Sequence, residues 1–154
     1  MSTKREDLII LLVEDNDDHA EIVKRNLHSH RLANQILHVV DGQAALDYLL
    51  RRDEYVDAAK YPKPHVILLD LRLPKMDGLE VLKTIKQDKE LHRIPVVVLT
   101  SSLEESDVAT AYDHHANSYL SKPLDFEKFS QLMRDLGLYW LEWNINPCAR
   151  KAHA

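Results

Sequence analysis

Three short apolar runs, each stopped by a polar residue, constrain this chain more than any other feature. Leu8–Val13 gives way to Glu14-Asp15, Val66–Leu69 to Asp70, and Ile94–Leu99 to Thr100. Runs of this length without polar alternation read as strands covered on both faces, the pattern of a parallel sheet. The segments between them have helical spacing. From Asp17 to about Leu27 the apolar residues Ala20, Ile22, Val23 and Leu27 recur, with acids in front and Lys24, Arg25 and His28 behind, as the helix dipole favours. Ile36–Val40 reads as a second strand, stopped by Asp41-Gly42, and Ala44 to Leu50 as a second helix. A turn-rich stretch, Leu73–Gly78, precedes a third helix from about Leu79 to Gln87. A fourth is expected from about Glu104 to His114. Ser118–Ser121 is a short fifth strand broken by Lys122-Pro123, and Asp125 can cap a last helix carrying Phe126, Phe129, Leu132, Met133 and Leu136. Strict alternation of five strands and five helices predicts an α/β fold, a doubly wound parallel sheet with right-handed crossovers.

The 154 residues suit one domain with a short appendage, and 45% hydrophobic with 29% charged residues is ordinary globular composition. A net charge of −5 argues against nucleic-acid binding, which needs clustered Lys and Arg. The single cysteine, Cys148, makes no intrachain disulfide, and no apolar stretch approaches the ~20 residues of a membrane helix. A cytoplasmic protein, bound to neither membrane nor nucleic acid, is expected. The Asp53–Pro64 connection is longer than the usual ~2–6 residues. It reads equally as a partner surface or a surface insertion.

In open α/β sheets, function gathers at the carboxyl ends of the strands. If the first and third strands are neighbours, Glu14, Asp15 and Asp70 converge there, and like charges so close disfavour joint ionisation. A cation is needed among them, and a few oxygen ligands with room for water suit Mg²⁺. Lys122 adds an ammonium for a phosphoryl oxygen and Thr100 a hydroxyl donor. An anion site over a metal is what phosphoryl transfer to a carboxylate requires. Any one of these acids alone would ordinarily be read as a helix cap, and only the joint pattern argues for chemistry. The paired histidines His28/His30 and His114/His115 do not share helix faces and read as solvated surface rather than a metal site.

The segments Val13-Glu14-Asp15-Asn16, Asp70-x-x-x-Pro74-x-x-Asp77-Gly78, Leu99-Thr100-Ser101 and Ser121-Lys122-Pro123 resemble those of the receiver domain of two-component response regulators. The resemblance runs from about Asp7 to Gly137. It implies a flavodoxin-like fold of strand order 2-1-3-4-5, with Asp70 as phospho-acceptor and Glu14 and Asp15 as the acidic pair at Mg²⁺. It further implies the Arg72 main-chain carbonyl as a metal ligand, Thr100 as switch hydroxyl, Tyr119 as switch aromatic, Lys122 as phosphate partner, and a cis Lys122-Pro123 peptide. Ser101, larger than the family's usual residue, and the long Arg72 side chain depart from the pattern. The implied activity is that of a phosphorylation-controlled switch rather than an enzyme. It would be served by a sensor histidine kinase and would pass its signal to a partner, or its phosphate to a His-containing phosphotransfer protein, with no room for an effector domain. The long loop and the tail are similar to single-domain regulators that partner bacterial phytochrome kinases. Residues 1–137 are therefore expected to form the receiver and 138–154 a tail. Trp140, Trp143 and Tyr139 in that tail, continuing the last helix or leaving it as an arm, pack back on the molecule or against a second copy. The second copy, a homodimer, is preferred. A phosphatase of the haloacid-dehalogenase type also uses a strand-end Asp over Mg²⁺, but it expects a second Asp where Arg72 stands. A degenerate receiver acting as a constitutive binding module is the other rival, and the intact acceptor set speaks against it.

Overall fold

The computed structural model describes residues 8–29, 35–71, 73, 77–100, 116, 118–121 and 125–135. Five strands, β1 (Ile9–Val13), β2 (Gln35–Val39), β3 (Val66–Leu69), β4 (Val96–Thr100) and β5 (Ser118–Ser121), form one sheet in the order β2-β1-β3-β4-β5. Every pairing is parallel. Four helices are placed among the described residues: α1 (Asp17–Ser29), α2 (Gly42–Leu49), α3 (Gly78–Gln87) and α4 (Phe126–Asp135). The helix expected over Glu104–His114 lies outside them.

The period-two geometry of the strands builds two cores. Leu11, Val13, Ile67, Leu69, Val96 and Val98 point to one face, where Ala45, Leu46, Tyr48 and Leu49 of α2 and Val81, Leu82 and Ile85 of α3 cover them. Ile10, Leu12, Val66, Leu68, Val97 and Leu99 point to the other, against Ala20, Val23 and Leu27 of α1 and Phe129 and Met133 of α4. Helices on both faces explain why the three central strands carry no polar alternation.

The helix starts follow capping chemistry. Asn16 Oδ1 accepts from the His19 amide at 3.0 Å, Asp41 Oδ1 from Ala44 at 2.8 Å, Asp77 Oδ1 from Leu79 at 2.9 Å, and Asp125 Oδ1 from Glu127 at 3.0 Å. Asp125 thus caps α4 as expected. Three sequence expectations are corrected. Ile22 is exposed, because the buried stripe of α1 runs through Ala20, Val23 and Leu27 and residue 22 lies about 100° away from Val23. The second strand ends at Val39, leaving Val40 exposed. The fourth begins at Val96, because Ile94 closes a 3₁₀ turn over Leu91–Arg93 by donating its amide to the Leu91 carbonyl at 2.9 Å.

The long connection after α2 is packed rather than loose. It opens with a 3₁₀ turn, Asp53–Val56, and brings Tyr55 and Tyr61 onto Tyr48 of α2, with ring centroids 4.9–5.7 Å apart across the three pairs. The Tyr48 hydroxyl donates to the Pro62 carbonyl at 2.7 Å and Arg51 Nη1 to that of Tyr61.

Candidate functional site

The carboxyl ends of β1 and β3 meet because these strands are neighbours, with Val13 opposite Leu69. The ladder runs one residue further: the Asp70 amide donates to the Val13 carbonyl at 3.1 Å, and the Glu14 amide to that of Val39 at 3.1 Å. Side chains leaving the sheet at these positions emerge together. Glu14, Asp15 and Asp70 each offer a carboxylate oxygen, all within 4.8 Å of one another. Glu14 and Asp70 are buried, whereas Asp15 is exposed at the mouth. Three carboxylates this close repel one another, and a hard cation that accepts oxygen ligands fits the set with positions left for water.

Backbone contacts shape the pocket. Glu14 Oε2 accepts from the Asn16 amide at 3.2 Å, and His38, on edge strand β2, donates from Nε2 to the Glu14 carbonyl at 2.7 Å. On the other side α3 presses against the chain just beyond β3. The Gly78 amide donates to the Leu71 carbonyl at 3.1 Å, and a Cβ at Gly78 would stand 2.4 Å from the Asp70 carbonyl oxygen. Only glycine permits this approach.

Thr100 ends β4 with its backbone opposite Ser121, one strand over from Asp70. Tyr119 lies opposite Val98, half-buried against the core under α2 and α3. Arg72, Ser101, Lys122 with its peptide to Pro123, and the tail lie outside the described residues. His38 and Gly78 were not singled out by role in the sequence. A histidine in a five-residue strand carries no signal, whereas a glycine directly after an Asp cap does hint at a tight helix start.

A family model described as the response regulator receiver domain matches residues 10–134. The "Probable methanogenesis regulatory protein FilR2" of Methanothrix harundinacea is 46% identical over 139 residues, 90% of this chain and 87% of that protein. The response regulator Rcp1 of Synechocystis is 40% identical over 141 residues, 92% of this chain and 94% of its own. Among solved structures, the bacteriophytochrome response regulator AtBRR superposes with a TM-score of 0.76 at 44% identity, covering 88% of this chain and 96% of that one. The Mn²⁺-bound form of Rcp1 gives 0.70 at 41% identity, with 88% and 95% covered. The phosphorylated cyanobacterial phytochrome response regulator RcpA gives 0.73 at 39%, again with 88% and 95% covered.

Proposed function

This chain belongs to the response regulator receiver-domain family, and on that premise we propose that it accepts a phosphoryl group from a sensor histidine kinase on Asp70. The observation that carries the reading is the convergence of Glu14, Asp15 and Asp70 at the ends of two paired strands. In the transfer an Asp70 carboxylate oxygen bonds to phosphorus, the bond from phosphorus to the kinase imidazole nitrogen breaks, and that nitrogen recovers a proton. Glu14, Asp15 and Asp70, with the Arg72 main-chain carbonyl, would hold the Mg²⁺, which would neutralise charge on the transferring group. The Asp70 amide bond to Val13 fixes the acceptor's backbone beside that pair. Lys122 pairs with a phosphoryl oxygen as a point charge and Thr100 supplies a hydroxyl.

Phosphorylation adds charge and acceptor oxygens at Asp70, Thr100 moves to bind them, and Tyr119 fills the space left behind, so that the face built from the helix expected over about Glu104–His114, β5 and α4 changes. The chain is a switch without a turned-over small-molecule substrate. It acts in the cytoplasm and signals through a partner protein or by onward transfer to a His phosphotransfer protein. Likeness to named phytochrome regulators supports a bacteriophytochrome as the kinase, and the Trp140/Trp143 tail supports a homodimer built on the last helix and residues 138–154. Among the described residues no helix is long and apolar enough to cross a membrane.

The test is to mix the purified chain with a bacteriophytochrome histidine kinase and radiolabelled ATP. Label should leave the kinase, appear once on this chain and decay slowly. A kinase that keeps its label would count against the reading, as would repeated turnover of p-nitrophenyl phosphate.

A further inference from the structure

We propose that His38 is a positioning residue for the acidic pocket, holding the Glu14–Asp15 peptide so that Asp15 is presented to its two buried partners. The inference rests on the reading of the pocket as a divalent-cation site.

Asp15 is exposed, yet its carboxylate lies with those of Glu14 and Asp70. An exposed side chain on a strand-to-helix connection has many rotamers and backbone states, so its backbone must be restrained if it is to stay there. Both peptide groups that flank it are bonded. The one after it is held through the Asn16 amide, which donates to Glu14 Oε2 at 3.2 Å. The one before it is held through the Glu14 carbonyl, which takes the His38 Nε2 bond at 2.7 Å. A carbonyl can only accept, so the proton sits on Nε2, and the distance is at the short end of the N–H···O range.

His38 is well placed for this. It lies opposite Leu12 in the β1–β2 register, two residues short of Glu14, so its half-buried ring reaches forward along the strands to the carbonyl just beyond β1. The Glu14 amide is bonded to Val39, the next residue of the same strand. Two successive peptide groups around Glu14 are therefore tied to β2, one by main chain and one by this side chain. An edge strand that offers no ligand thereby sets the geometry of the ligands, and the pocket meets a cation with its loop already ordered.

The experiment is calorimetric titration of Mn²⁺ alone into wild type, His38→Phe and His38→Gln. Phenylalanine keeps the ring volume without the donor, whereas the glutamine amide can present a donor near the Nε2 position. Loss of one neutral hydrogen bond predicts about fivefold weaker binding for His38→Phe, with His38→Gln restored to within about twofold of wild type. Equal affinity in wild type and His38→Phe overturns the inference alone, as does a glutamine variant no better than phenylalanine. A wild type that takes up no Mn²⁺ overturns the reading of the pocket and the inference with it. Long-range ¹H–¹⁵N spectra of the metal-free wild type give a second readout that needs no variant to fold. The Nε2-protonated tautomer of His38 is expected, and the Nδ1-protonated tautomer would overturn the proposal.

Discussion

Replacing Gly78 by alanine puts a methyl group into the chain segment that carries Asp70. The new Cβ would lie 2.4 Å from the Asp70 carbonyl oxygen, 2.5 Å from the Leu71 Cα and 2.9 Å from the Leu71 carbonyl oxygen. Ordinary contact between such atoms is about 3.5 Å, so about 1 Å must open between α3 and the end of β3. Every one of the clashing atoms is main chain, and no side chain can swing away. Overpacking of this kind costs about 1–3 kcal/mol, of which the better helix preference of alanine returns up to about 1 kcal/mol. A net loss of about 1–2 kcal/mol corresponds to a melting temperature lower by roughly 3–8 °C in a domain of this size. Because the displaced backbone is that of Asp70, Mg²⁺ affinity should fall as well. Asp77→Ala is the control. It removes the cap on the Leu79 amide, costing about 1 kcal/mol, without touching Asp70, so stability should drop while Mg²⁺ binding holds. Thermal denaturation followed by circular dichroism, with a Mg²⁺ titration of each protein, makes the comparison. A Gly78→Ala protein that melts at or above wild type with unchanged Mg²⁺ affinity would refute the close-approach argument.

Other consequences can be checked independently. Asp15→Asn should weaken Mg²⁺ binding and phosphorylation together, and equal titration curves for the two proteins would misplace the metal site. The Tyr48 hydroxyl is pushed up to about 12 from its ordinary 10.0, chiefly by burial, so the fold prefers its neutral form. The stability this contributes is complete below about pH 10 and is lost as the pH rises from about 10 to about 12. Tyrosinate absorbance should show a late-titrating phenol that is missing in Tyr48→Phe, and a wild-type curve complete by pH 11 would contradict it. Light scattering at tens of micromolar should show a dimer for the full chain and a monomer for a version stopping after Gly137, and an unchanged dimer after truncation would refute assembly through the tail.

Most of the sheet is legible in the sequence because strands covered on both faces leave unbroken apolar runs. Val66–Leu69 is placed residue for residue. Edges and ends are less legible. Ile22 passes for a core residue when apolar positions are counted, and only the rotation of the buried stripe of α1 turns it outward. Strand order is invisible to periodicity, since β1 pairs with β2 and β3 through contacts between distant segments. It entered through family resemblance. The meeting of Tyr48, Tyr55 and Tyr61 likewise depends on the path of a loop and not on any spacing. At the site, the acids announced themselves by their position after apolar runs. The groups that orient them, His38 and the Asn16 amide, act through backbone atoms and leave no mark in residue type.

The central claim is that Asp70 is the phosphoryl acceptor, and intact-mass spectrometry with peptide mapping tests it most directly. Wild type and Asp70→Asn would be incubated with a small-molecule phosphodonor, with and without Mg²⁺. One phosphoryl group on wild type, mapped to Asp70, dependent on Mg²⁺ and absent from Asp70→Asn, is the predicted result. Equal labelling of the variant, or label mapped to another residue, would contradict it.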